Sequence, residues 1–187
     1  MRTLEERIER LEKKIFKEVK LGNKEIGDTF ELAGKTWKVL DKFGDKTLVW
    51  CLDNLGDRTF GSDNYWTDCS LRIYLHDEVL PKIEDQIGQE NICSFDRDLI
   101  SLDGQTEYGT TADVISLLTI DEYRKYRHLI PNQGDYWWLC SPDSTKCNND
   151  DRWIEVVSPS GDLSNYCYCS NRGVRPVLYL KSSIFES

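Results

Sequence analysis

Leu4, Ile8, Leu11 and Ile15 recur at spacings of four, three and four, which is a heptad seam. Glu5, Glu6, Glu9, Glu12, Lys13, Lys14 and Lys17 flank it on both sides. A stripe this narrow between charged flanks predicts a self-associating coiled coil over residues 3–20, in preference to a helix lying on its own domain. Gly22 and Asn23 end the pattern. The chain therefore divides into an oligomerising helix, residues 1–21, and a body, residues 22–187.

The body opens in short β-type runs, Thr29–Leu32, Thr36–Leu40 and Thr47–Leu52, broken at Ala33-Gly34 and Gly44-Asp45. A polar loop follows over residues 53–66. Asp68 or Ser70 is expected to cap a helix presenting Leu71, Tyr74 and Leu75, with a second short helix through Val79, Leu80 and Ile83. Thr119 and Glu122 form a capping box that opens a helix running to about His128. From Tyr136 the pattern returns to β, as Tyr136–Leu139, Trp153–Ser158, Leu163–Cys169 and Val174–Leu180, with a hairpin turn at Pro159-Ser160-Gly161-Asp162. Strands, then helices, then strands again predict an α+β fold and not a parallel α/β sheet.

Charge narrows the partners. The net charge is −9, of which residues 1–20 contribute +2, so the remainder carries −11. Such a body repels phosphate backbones, so a nucleic-acid partner is not expected. No apolar run is long enough to span a bilayer, and the polar start does not read as a signal peptide. Synthesis and folding in a reducing compartment are the expectation.

Seven cysteines are an odd number without the spacing of a secreted disulfide framework, so free thiols are expected. Cys140, Cys147, Cys167 and Cys169 lack the paired knuckles of a zinc site. Cys167-x-Cys169 on a strand puts both thiols on one face, which permits a metal or a disulfide and requires neither. No metal and no cofactor are expected. Asp96, Asp98 and Asp103 read as loop and turn residues as readily as a calcium cluster. His76 and His128 lie far apart in sequence and in no nucleophile motif, and no phosphate loop or H-E-x-x-H sequence is present. No catalytic residue is assigned. Trp137 and Trp138 are expected in the core, and Arg175 on a buried acid.

Several motifs together carry a resemblance. They are Gly27-Asp28-Thr29-Phe30, Thr36-Trp37-Lys38-Val39-Leu40, Thr67 to Leu75, Val114 to Thr119, Trp137-Trp138-Leu139-Cys140-Ser141-Pro142 and Gly173-Val174-Arg175-Pro176-Val177-Leu178. Over residues 27–185 the chain resembles a domain family common in Firmicutes and their phages, with W-W-L-R-S-P and G-V-R-P motifs. Cys140 stands where that family usually carries Arg. Many such domains are similar to the variable proteins of diversity-generating retroelements, which display sequence variation on a C-type-lectin-like (formylglycine-generating-enzyme-like) fold.

That resemblance implies an adenine-mutating template, in which Asn codons yield Asn, Ser, Thr, Asp, Tyr, Cys, Arg, Gly or His, but not Lys, Glu, Gln, Met or Trp. Asp143, Ser144, Thr145, Cys147, Asn148, Asn149, Asp150, Asp151 and Arg152 fit the set, with Lys146 an exception. Asn165, Tyr166, Cys167, Tyr168, Cys169, Ser170, Asn171 and Arg172 fit throughout. Trp153 and Glu155, between the two runs, fall outside it and read as frame. The implied variable region spans about residues 137–180. Its implied role is non-enzymatic binding of an unknown protein or cell-surface ligand, on a homo-oligomer that is virion-associated or displayed if phage encoded. Tyr166 and Tyr168 would be anchors. The alternatives are a copper- and thiol-dependent oxidoreductase of the same superfold and a structural phage component.

Overall fold

The computed structural model describes residues 20–185, and the predicted helix over 3–20 lies outside them save for its last residue. Three strands open the body: β1 (Thr29–Leu32), β2 (Lys35–Phe43) and β3 (Lys46–Cys51). The β1–β2 turn places both Ala33 (φ 51°) and Gly34 (φ 68°) in the left-handed region, which suits the right-handed twist of a tight hairpin. β13 (Val177–Lys181) returns from the far end of the chain to pair antiparallel with β3. The resulting sheet runs β1-β2-β3-β13-β5, where β5 is Ile92–Cys93, and β8 (Ile115–Ser116) also pairs with β13.

A second sheet collects the late strands in the order β11-β10-β9-β12-β4. These are β9 (Trp137–Pro142), β10 (Trp153–Val157), β11 (Leu163–Cys167), β12 (Arg172–Gly173) and β4 (Asp57–Arg58). Every pairing is antiparallel except β12 with β9. A separate hairpin, β6 (Phe95–Asp98) with β7 (Thr110–Asp113), completes a mixed α+β domain dominated by sheet.

Two apolar clusters hold the sheets, and strand alternation divides neighbouring residues between them. Trp138, Val49, Ile154 and Val156 point into the larger cluster; Trp137, Leu48, Trp50 and Val157 point into the smaller. β3 and β9 are thus covered on both faces, which is why they read as unbroken apolar runs.

The helical middle differs from expectation. The two expected helices are one continuous stretch, α1 (Ser70–Tyr74) and α2 (Leu80–Ile87) joined by a π-helical turn at Leu75–Val79. Its N-cap is neither Asp68 nor Ser70 but Cys69, whose Sγ accepts from the Arg72 amide at 3.3 Å. α3 (Ile120–Tyr126) is capped as expected, with the Thr119 hydroxyl and Glu122 carboxylate each accepting the other's amide proton. Leu163–Cys169 ends as a strand two residues early, at Cys167. The run expected as a strand over Val174–Leu180 becomes one only at Val177, after Pro176, which lacks an amide proton.

Candidate functional site

The β10–β11 hairpin joins the two polar runs. Trp153 pairs with Cys167, Ile154 with Tyr166 and Glu155 with Asn165, so residues before β10 meet those after β11. Tyr168 donates its amide proton to the Arg152 carbonyl at 3.0 Å, and Asn165 Nδ2 donates to Asp143 Oδ1 at 3.1 Å. Residues 143–152 and 165–172 therefore share one end of the second sheet.

Within that end the two runs are not uniformly displayed. Cys147, Asn148, Asn149, Arg152, Asn165, Cys169 and Asn171 are exposed, whereas Asp143, Asp150, Asp151, Tyr166, Cys167, Tyr168, Ser170 and Arg172 are half-buried. Ser144 and Thr145 are buried beneath the surface, where a ligand would not reach them. The Ser144 hydroxyl donates to Asp103 at 2.8 Å, and its carbonyl accepts from Asn64. Cys140 is fully buried in β9 and belongs to the frame.

The half-buried aromatics form an ordered stack. Tyr136 and Tyr166 pack edge to face with ring centres 5.1 Å apart. The Arg172 guanidinium lies 3.7 Å above the Tyr166 ring, a cation–π contact that restrains a long side chain before any ligand arrives.

The first run is tethered by residues the sequence did not single out for binding. Asp103 accepts from Ser101, Ser144 and Asn148. Those bonds hold its carboxyl below the ordinary aspartate value. Glu107 accepts the Cys147 amide proton at 2.8 Å, and Lys146 pairs with Asp63 at 3.0 Å. Asn149 closes the short 3-10 turn over Lys146–Asn148 in the left-handed conformation that Asn tolerates. Asp103 is therefore a loop tether, while Asp96 and Asp98 sit at exposed positions of β6. Among the described residues no group of three potential ligands could hold a metal ion.

Glu155 is buried between the two runs. Burial, reinforced by hydrogen bonding and charge at the Asp143 carboxylate, raises its pKa to about 8. It is thus mostly protonated at neutral pH, a neutral acid beside an ionisable one.

The expectation of seven free thiols is corrected: Cys167 and Cys169 are bonded to each other. β11 stops at Cys167, and the turn that follows brings their Cα atoms to 5.2 Å, within disulfide reach. The other five cysteines are free. Burial pushes the thiols of Cys51, Cys69 and Cys140 up to about 12, so none is a thiolate at neutral pH.

Elsewhere, polar clusters serve the frame. Asp113 receives Trp66 Nε1 at 2.7 Å and Arg72 Nε at 2.8 Å, with His76 Nε2 at 3.0 Å. Burial works to raise its pKa, but the bonds from His76 and Trp66 and the Arg72 charge outweigh it and lower it. His76 is therefore pinned on a buried carboxylate. Arg175 lies on Asp135 at 3.1 Å and on the Leu52 carbonyl, so its acid is only half-buried. Trp137 and Trp138 are fully buried as expected.

These features define a mixed α+β domain with a polar, tyrosine-bearing end built on a hairpin. Residues 44–182 match the model of a family described as a domain of unknown function (DUF6273), and the chain belongs to that family. No curated protein and no solved structure matches the chain. No described helix is long and apolar enough to cross a membrane.

Proposed function

We propose that this protein is a non-enzymatic ligand-binding protein, the variable protein of a diversity-generating retroelement with a C-type-lectin-like body. The reading includes a phage or prophage origin, display on a virion or surface, and homo-oligomerisation through residues 3–20. The observation that carries it is the convergence of the two adenine-accessible runs on one end of a sheet. Trp153 lies half-buried and Glu155 buried in the strand between them. A diversified surface must vary without unfolding its frame, and Cys147, Asn148, Asn149, Arg152, Asn165, Cys169 and Asn171 are exposed. Tyr166 and Tyr168 supply contact area at low entropic cost, and Asn171 and Asp150 supply adaptable polar contacts. Oligomerisation would multiply weak single-site affinities on a repetitive surface. The oxidoreductase alternative draws no support from thiols held near 12 by burial.

Sequencing the genomic locus tests the reading. The expected result is a nearby repeat matching the codons for about residues 137–180 and differing only at adenines. An intact locus without such a repeat or a reverse transcriptase gene refutes it. Light scattering on the full chain and on a chain lacking residues 1–21 tests assembly. If both are monomers, the coiled coil is wrong.

A further inference from the structure

Tyr74 separates two surface clefts and lines both, and the second shares Asn171 with the polar end. One, of about 250 Å³, is bounded by Lys35, Trp37, Leu55, Lys82 and Ile83. The other, also about 250 Å³, is bounded by Arg58, Thr59, Ser70 and Asn171, with Asp57 at its wall. Arg58 lies flat on Tyr74, its guanidinium carbon 3.5 Å from the ring centre. Stacking occupies the face of the guanidinium and leaves its edge donors available.

Three cations line these clefts, Lys35 and Lys82 in the first and Arg58 in the second. Lys42, Arg72, Arg97, Lys125, Lys146 and Arg175 each sit on a carboxylate. Lys35, Lys82 and Arg58 have no ion pair among the described residues, although the whole carries −9. Arg172 has none either, and it stands directly opposite Arg58 across the β4–β12 pair. Like charges facing one another across strands are destabilising. Asp57 forms no ion pair with either arginine among the described residues; it accepts from Asn54 Nδ2 at 3.0 Å.

We infer that the clefts on either side of Tyr74 form a binding site for an acidic, partly apolar peptide segment. A carboxylate would take the edge of Arg58, with Arg172 reinforcing the local field. An apolar side chain would enter the cavity floored by Trp37, Leu55 and Ile83, and a second carboxylate would lie between Lys35 and Lys82. The apolar floor offers nothing to a sugar-phosphate polymer, and the acidic body repels a long polyanion. Charge complementarity and mixed lining thus favour a short peptide. The site does not rest on the reading of the variable runs.

The test is an NMR titration of the isotope-labelled full-length protein with an equimolar library of hexapeptides alternating Asp or Glu with Leu, Val or Phe. Saturable shifts are expected at Tyr74, Leu55, Ile83 and the Arg58 side chain. Affinity should fall about tenfold or more in an Arg58→Gln/Lys82→Gln variant, whose exposed side chains carry no hydrogen bond or ion pair. It should persist in Asn148→Ser/Asn165→Ser, whose side chains line neither cleft and bond instead to Asp103 and Asp143. The inference is overturned by absent or non-saturable shifts, or by equal binding of the library with Lys replacing each acid. Undiminished affinity in the folded double variant also overturns it. Tighter binding of polyphosphate of matched charge would assign the clefts to a phosphate polymer instead.

Discussion

Glu155→Gln should stabilise the protein, by an amount that depends on pH. Glu155 is 2% exposed, its Oε1 has no hydrogen-bond partner, and its pKa is raised from 4.5 to about 8. An acid whose folded pKa exceeds its unfolded value binds more protons when folded, so it loses stability as pH rises between the two values. Each unit in that window costs about 1.4 kcal/mol. At pH 7 the accumulated cost is roughly 3 kcal/mol, and it levels off above about pH 8. Gln cannot ionise, and its amide can donate to Asp143 as the protonated acid does. The variant should therefore match the parent near pH 4.5 and exceed it by roughly 3 kcal/mol at pH 7. Urea denaturation of both proteins at half-unit steps from pH 4.5 to 9 measures the difference directly, because other titrating groups cancel. A difference that does not change with pH, or that shrinks as pH rises, refutes a buried neutral Glu155.

Trp138→Ala should cost on the order of 3–5 kcal/mol, because it empties a fully buried site and removes the Nε1 bond to the Arg58 carbonyl. Asp150→Ser with Asn171→Ser should stay within about 1 kcal/mol in the same denaturation assay; the reverse ranking would place the frame at the polar end. Arg175→Met should destabilise by about 1–3 kcal/mol, because the Leu52 carbonyl loses its donor while the half-buried Asp135 keeps only its bond from Asn54, and an unchanged melting curve would contradict the pairing. Thiol titration of the unreduced, denatured chain should find five reactive cysteines, rising to seven after reduction; seven at the outset would refute the Cys167–Cys169 bond.

Legibility in the sequence followed the range of the interactions. The Thr119 capping box, the Pro159–Asp162 hairpin turn and the strand positions through β3, β9 and β10 depend on residues within a few positions of one another, and these were readable. The burial of Trp137 and Trp138 followed from apolar character, but their assignment to opposite clusters needed the strand's two faces to be covered. The β6–β7 hairpin escaped notice because its strands, Phe-Asp-Arg-Asp and Thr-Thr-Ala-Asp, carry little apolar alternation. The Cys167–Cys169 bond depended on where β11 stops, which local propensity locates to no better than a few residues.

For the candidate site, the two runs were legible as polar residue types, since residue type shows in composition without any fold. Their convergence was not, because it needs the β10–β11 register that sets Glu155 against Asn165. Nor could composition show that Ser144 and Thr145 turn inward, or that Asp103 and Glu107 hold the first run from some 40 residues away. The sequence by itself determined the α+β class, the acidic body, the local caps and turns, and the identity of the polar runs, all of which rest on short-range chemistry and summed charge. The tertiary structure decided which of those side chains face solvent, the neutral acid beneath them and the unpaired cations around Tyr74. Burial and charge pairing are properties of neighbours in space, and those neighbours lie tens of residues apart in the chain.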